Sequence, residues 1–433
     1  MTDADVIIVG GGPAGASLAW HLATRGVRTV VLDRARFPRP KPCAEYLSPE
    51  ASRILEQMGA LDACESGECA TLAGMIVRAP SGDTLRGDFA GAHGFRGFRD
   101  RGLALRREIL DSILLECART AGAAVVERAQ VAGLDSDSTG RVAGVRIVGD
   151  GGPERSLRAP LVVGADGLRS TVARRLGLAR FARHPRRLAL VTHFAGVAEL
   201  ADCGEMHVSP DGYLGIAPVG GGLANVALVV PTARAREFAG HPERYLERWI
   251  AAQRHLAPRF RSARRVSPVR ATGPFAQRAR RAWARGAALV GDAADFFDPF
   301  TGEGIYAALR GGALLAPFVE RSLASSSHRD ADRLLSGYER ARRREFAGKW
   351  MLERFVALAV AQPPILNHIA RVLSRRKAMA DLLVGVAGDF VPAREAFRLR
   401  FLCSLFLPVP RVGPTRQDIR ESATLGVRPA RTP

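Results

Sequence analysis

Lysine is almost missing from this chain: of 63 basic residues only Lys41, Lys349 and Lys377 are lysine. The net charge of +20 would by itself suggest nucleic acid, an anionic membrane surface or an acidic ligand as partner. The basic excess is instead carried by arginine alongside abundant Ala and Gly, the mark of a GC-rich coding sequence. No basic motif with interleaved aromatics is present, so no nucleic-acid partner is expected. The six cysteines (Cys43, Cys64, Cys69, Cys117, Cys203, Cys403) have no paired short spacing and no adjacent ligand-like His, which argues against a disulfide framework or a metal site. No apolar run reaches the roughly 18 residues that span a bilayer. No basic n-region or cleavage site precedes the first strand, so a cytoplasmic protein is expected, with peripheral contact at the inner membrane surface left open.

What is present is ordinary globular patterning, with 47% hydrophobic residues over 433 positions, enough for two domains or one composite one. Residues 5–9 (DVIIV) read as a buried strand, 14–24 as a helix and 29–32 (TVVL) as a second strand, an opening β-α-β unit. Ser48 and Pro49 suit the cap and first position of a helix. A helix is expected over 106–120, alternating strands between 193 and 230, a buried strand at 287–290 and a helix over 304–323. Beyond Ala331 the pattern is helical, and the last twenty or so residues read as a disordered tail.

Gly10, Gly12 and Gly15 in VGGGPAGAS have Gly-x-Gly-x-x-Gly spacing at a strand-to-helix junction. Such glycines allow a tight turn, backbone approach to a pyrophosphate and close helix–strand packing, while the helix N-terminus supplies N–H groups to phosphates. Pro13 and Ala14 open that helix. Asp33, at the end of the second strand, is placed to accept the ribose hydroxyls. Only one such glycine motif occurs, so a second dinucleotide domain is not expected.

Two further segments make the pattern specific. GADGLRS (164–170) and LVGDAADFFDPFTGEGIYAALRGG (289–312) resemble the DG and GD segments of FAD-dependent aromatic hydroxylases and their relatives. The resemblance covers the chain to about Gly312 and implies FAD as cofactor. It implies that Asp292, after Gly291, contacts the ribityl and pyrophosphate region, that Asp166 shapes the nucleotide site, and that Arg107 lies near the FAD phosphates, against the alternative of a solvated helix face. A loop of small residues from Pro299 through Gly302, Glu303, Gly304 and Ile305 can bring backbone N–H groups and a helix dipole to the flavin ring. NAD(P)H is expected as a transient reductant, with Arg34, Arg39 and Lys41 either meeting its phosphates or forming a solvated basic loop.

Residues 33–50 (DRARFPRPKPCAEYLSPE) and PFTGEGIYAALRGG most resemble the geranylgeranyl-reductase-like branch, which includes flavin halogenases and some hydroxylases of secondary metabolism. That branch carries Cys-Gly-Glu where this chain has Cys43-Ala44-Glu45. Cys43 is either a redox or proton-donating group beside the flavin or a small buried hydrophobe. The halogenase Trp-x-Trp-x-Ile-Pro segment has only Gly212 to Pro218 as counterpart, without Trp, which disfavours halogenation. Tyr213, His193 and His207 are either acid, base or hydrogen-bond donors, or residues that merely line a sheet. Cys43, Tyr213, Pro299 and Gly302 are the catalytic candidates.

The expected fold is α/β: a discontinuous Rossmann-like FAD-binding domain (1–75, 101–180, 268–330), an inserted β-sheet substrate domain (76–100, 181–267), a helical C-terminal region (331–410) and a tail (411–433). The expected function is NAD(P)H-driven, FAD-dependent hydroxylation of a lipophilic aromatic or polyketide-like molecule. The leading alternative is reduction of isoprenoid double bonds, and a non-enzymatic basic binding protein stands as the third. Apolar stretches set among arginines between Trp350 and Leu407 suit helices that cover an apolar tunnel, rest on an anionic membrane or pack on the body.

Overall fold

A computed structural model describes residues 2–149, 152–181 and 186–406; the expected tail at 411–433 lies outside them. Strand Val6–Val9 is buried throughout and pairs in parallel with Thr29–Leu32 on one side and Leu161–Gly164 on the other. Ala124–Val126 and Ala287–Leu289 extend the parallel sheet, and Trp283–Ala284 closes one edge antiparallel. Continuous β-branched runs suit a sheet covered on both faces. Helices Arg107–Thr120 and Gly304–Leu323 each pack against helix Pro13–Ala23 over this sheet, and a three-stranded antiparallel sheet (Gln130–Ser136, Val142–Val148, Arg155–Arg158) lies against Leu161–Gly164. Sequence segments separated by more than a hundred residues thus meet in one sheet, as the motif spacing implied.

The second body is an eight-stranded sheet in which the long strands Arg187–Ala195, Leu223–Pro231, Gly212–Pro218 and Cys203–Ser209 run antiparallel. Cys203–Ser209 then pairs in parallel with Gly74–Arg78, which forms a hairpin with Thr84–Asp88. The expected boundary at 75 therefore falls inside a strand of this sheet. Arg270–Thr272 also joins it, beside Arg187–Ala195, although residues from 268 onward were expected in the FAD domain. Both segments are short, and their sheet membership is set by partners far away in sequence.

Alternation sorts the two faces. Leu190, Leu214, Ile216, Val226 and Leu228 face helix Pro242–Ala252 through its Leu246, Trp249 and Ile250. Val191, Met206, Tyr213, Ala227 and Val229 face the other way, toward Phe275, Phe300 and the C-terminal helices. Those helices begin with His328–Ala361 and include Lys377–Ala387, which lies over strand Thr84–Asp88 so closely that a Cβ at Gly87 would come within 2.5 Å of Val384. The cleft lies between the two sheets, with helix His328–Ala361 along its side.

Candidate active site

The glycine loop divides its labour as its spacing implied. Gly10 has φ +109°, and a Cβ there would lie 2.5 Å from the Ala165 carbonyl oxygen. A Cβ on Gly15 would lie 1.9 Å from the Gly10 carbonyl oxygen, so helix and strand touch backbone to backbone. Gly12 is different: the nearest atoms to its absent Cβ are guanidinium nitrogens, Arg39 Nη2 at 3.8 Å and Arg107 Nη2 at 3.9 Å. Helix Pro13–Ala23 thus starts at an open space flanked by two cations, a cradle suited to a pyrophosphate.

Arg107, 4% exposed at the start of its helix, is held by two parallel bonds to Asp111, Nε to Oδ1 at 2.7 Å and Nη2 to Oδ2 at 2.8 Å. Asp111 also lies 3.4 Å from Arg39. Burial works against the Arg107 charge, but Asp111 more than compensates and holds its pKa above the usual arginine value. Lys41 lines the same cleft, with Nζ 3.4 Å from the position of a Gly167 Cβ. Burial, together with Arg107, pulls the Lys41 ammonium down. Burial pushes the Asp292 carboxyl up, against the pull of Lys41 and Arg107. An anion in the cradle relieves the repulsion among these cations.

The other expected FAD residues divide into wall and support. Gly12, Pro13, Ala14, Cys43, Arg107, Gly291, Asp292, Pro299, Gly302, Glu303, Gly304 and Ile305 line the cleft. Asp33 is buried behind the loop, where Oδ2 accepts from the Gly11 N–H and Oδ1 from the Ala35 N–H, both at 2.8 Å. Its first task is to hold the loop. Asp166 supports the start of helix Thr171–Arg175, accepting from the Thr171 N–H at 2.6 Å beside the N-cap Ser170. Arg34 is exposed and lines no part of the cleft, because Asp33 pins the strand end and the chain turns outward after it. Arg39 and Lys41 converge on the cradle rather than on an outer phosphate platform.

Around the expected flavin position, Asp298 Oδ1 accepts from the Phe300 N–H at 3.1 Å and starts the turn Pro299–Thr301. Gly302 follows with φ +74°, and a Cβ there would meet the Tyr46 ring at 2.8 Å. Helix Gly304–Leu323 then points its N-terminus into the cleft. Tyr213 is fully buried on the wall; its hydroxyl donates to Asp298 Oδ1 at 2.7 Å, while Arg187 Nη1 donates to Asp298 Oδ2 at 2.7 Å. Tyr213 therefore positions the flavin loop through Asp298. His207 faces away from the cleft, beside its strand partner Leu214 on the other face of the sheet, in a network with Glu205 (2.8 Å) and His255 (3.2 Å).

Cys43 lines the cleft, and its sulfur accepts from the Glu45 N–H at 3.3 Å. In Cys43-Ala44-Glu45 the left-handed residue is Glu45, with φ +60°, and Ala44 is not left-handed. The alanine in place of glycine thus costs no backbone freedom, whereas the conformation of Glu45 costs on the order of 1–2 kcal/mol and needs local bonds to hold it. Those bonds come from Arg107 N–H to Oε1 (2.9 Å), Asn225 Nδ2 to Oε2 (2.9 Å) and His193 Nε2 to Oε2 (2.7 Å). Glu45, Asn225 and Asp298 escaped the sequence reading. Glu45 stood inside a quoted motif, but Asn225 and Asp298 carry no local signal. Glu353, Glu303 and Lys349 also meet at the cleft; burial, and then the Glu303 carboxylate, push Glu353 up to about 8.

The cradle, the small-residue turn and the helix N-terminus define a flavin-dinucleotide oxidoreductase of the two-sheet type. The chain belongs to the FAD binding domain family, whose model matches residues 3–351. It is 30% identical over 355 residues to digeranylgeranylglycerophospholipid reductase 1 of Methanococcoides burtonii, covering 80% of this chain and 81% of that one. The Methanosarcina mazei digeranylgeranylglycerophospholipid reductase is 30% identical, over 72% of this chain and 73% of its own. Among solved structures, the myxobacterial chondrochloren halogenase CndH matches at TM-score 0.74 and 26% identity, covering 99% of this chain and 98% of its own. The probable FAD-dependent monooxygenase PqsL of Pseudomonas aeruginosa matches at TM-score 0.66 and 24% identity, covering 84% and 98%, a likeness of fold.

Proposed function

We propose that this flavoenzyme saturates carbon–carbon double bonds in an isoprenoid chain, with NAD(P)H as transient reductant, in place of the hydroxylation favoured from motifs alone. The observation that carries the reading is the similarity to lipid reductases over most of both chains. The cleft agrees with it: beyond Cys43 its wall is Leu72, Met75, Val191, Met206, Ala227 and Val229, a surface for a hydrocarbon chain. Bound FAD would supply hydride to the double bond. Gly12, Arg39, Lys41 and Arg107 would hold its pyrophosphate, the turn Pro299–Gly302 and the helix N-terminus its ring, and the apolar wall would exclude water from the reacting carbons.

A peripheral membrane location for the outer helices belongs to the same proposal. No single helix among the described residues is long and apolar enough to cross a membrane. Met351, Phe355 and Leu358 recur at helical spacing on the outer side of helix His328–Ala361, whose Phe346, Trp350 and Glu353 line the cleft. Phe355 meets Phe397 edge-on, which brings exposed Leu399 and Arg398 to this face. Apolar side chains beside the exposed Arg394, Arg398 and Arg400 suit a bilayer with anionic headgroups.

The test is anaerobic incubation of FAD-loaded protein with NADPH, or with dithionite as surrogate reductant, and a digeranylgeranyl lipid. A gain of two hydrogens per double bond supports reduction. A product that gains one oxygen and forms only in air would replace this reading with hydroxylation.

A further inference from the structure

We propose that Ser267, His193 and Glu45 form a proton path from solvent to the cleft wall beside Cys43. His193 Nε2 lies 2.7 Å from Glu45 Oε2, and its Nδ1 lies 3.2 Å from Ser267 Oγ. The remaining partners of the Glu45 carboxylate, the Arg107 N–H and Asn225 Nδ2, are donors. Glu45 therefore accepts from His193 as well, which places the imidazole proton on Nε2 and leaves Nδ1 to accept from the Ser267 hydroxyl. Thr192 Oγ1 gives its own proton to the Ser267 carbonyl at 2.7 Å, so toward Ser267 Oγ at 3.0 Å it can only accept, and the serine hydroxyl proton is shared between Thr192 Oγ1 and Nδ1.

The two ends of the path differ in exposure. Ser267 is half-buried, whereas Glu45 is 3% exposed and lines the cleft with Cys43 and Asn225. The charged groups nearby are Arg265, bonded to the Ser267 carbonyl at 3.1 Å, and the Arg107–Asp111 pair on the inner side. Each passage brings one proton to Nδ1, moves the Nε2 proton to Glu45 and releases it from the neutral carboxyl into the cleft. Tautomer exchange then resets the ring. Saturating a double bond takes up one proton with each hydride, so the role given to this path rests on the proposed reduction.

His193→Gln keeps a side chain that can bond Glu45 but cannot relay a proton. With FAD bound to wild-type occupancy, it should turn over at least 10-fold more slowly with a larger solvent deuterium isotope effect. His193→Ala should regain rate on adding imidazole. Unchanged rate and isotope effect in His193→Gln, or a loss that follows FAD occupancy and resists imidazole, would overturn the path. A second readout needs no turnover: ¹⁵N-histidine spectra of the protein should show His193 protonated on Nε2, with that resonance displaced in Glu45→Gln. If wild-type protein reduces no polyprenyl lipid, the reaction is wrong and these spectra decide the path alone. An Nδ1-protonated ring, or one indifferent to Glu45→Gln, would sink it.

Discussion

The Cβ that Gly12 lacks would lie 3.9 Å from Nη2 of Arg107 and 3.8 Å from Nη2 of Arg39, in contact with no backbone. Packing therefore makes no demand for glycine at this position. Gly12→Val should leave the thermal stability of the FAD-free protein within about 0.5 kcal/mol, as for a surface change. It should weaken FAD binding by at least 100-fold, read by flavin fluorescence titration. FAD retained at wild-type affinity would mean that the pyrophosphate lies elsewhere.

Gly15 should behave in the opposite way. Its Cβ would fall 1.9 Å from the Gly10 carbonyl oxygen, and a backbone atom cannot move aside as a side chain can. Gly15→Ala should destabilise the FAD-free protein by about 2 kcal/mol or more through overpacking, measured by urea denaturation. A wild-type midpoint would show that helix and strand separate more easily than this contact implies.

These two glycines also show what was legible in the sequence. The strand, glycines, helix, strand order is a local pattern, so the turn at Gly10 and the close helix–strand contact at Gly15 were legible from spacing, whereas the Ala165 carbonyl beside Gly10 and the guanidinium groups beside Gly12 come from distant segments. Helix Gly304–Leu323 was legible from its local pattern for the same reason. Asn225 and Asp298 were not legible: each reads locally as an ordinary strand or turn residue. Their roles come from Glu45, 180 positions away, and from Tyr213, 85 positions away. Arg34 and Arg39 looked equivalent in sequence, but the hydrogen bonds of Asp33 turn one to solvent while the other reaches the cradle.

The Tyr213–Asp298–Arg187 group is a graded test of the flavin loop. Tyr213→Phe removes one donor and leaves Asp298 bonded to Arg187 and the Phe300 N–H, so it should cost about 1 kcal/mol. Asp298→Ala leaves Arg187 buried without its carboxylate and should cost about 3–5 kcal/mol. Flavin absorbance in the folded fraction should shift in Asp298→Ala and much less in Tyr213→Phe. Equal losses from both would mean that the aspartate does not organise the loop.

Glu353 gives the cleft a pH dependence. Burial, then Glu303, raise its folded pKa from 4.5 to about 8, so the folded protein holds a proton that the unfolded chain has released. Its contribution is fully present below about pH 4.5 and is lost as pH rises toward 8, with a slope of at most about 1.4 kcal/mol per pH unit. Glu353→Gln cannot ionise, so its stability relative to wild type should grow between pH 5 and pH 8 (roughly the span between the two pKa values) and level off above. A constant difference across that range would place the carboxyl in contact with water.

Met351 and Leu358 separate membrane contact from folding. Leu358 is 57% exposed and Met351 47%, so replacing both with Asp removes little packing, while each change adds a negative charge to a face with exposed arginines. Wild-type protein should sediment with vesicles of phosphatidylglycerol and not with phosphatidylcholine alone, and added salt should weaken the binding because surface charge is screened. Met351→Asp with Leu358→Asp should abolish sedimentation at unchanged FAD content and melting temperature. Turnover of lipid presented in vesicles should then fall, while turnover of a short, water-soluble prenyl alcohol should persist, because the cleft side of the helix, with Trp350 and Glu353, is untouched. Equal loss on both substrates would mean that these side chains support the cleft itself. Equal binding to both kinds of vesicle would remove the electrostatic part of the argument.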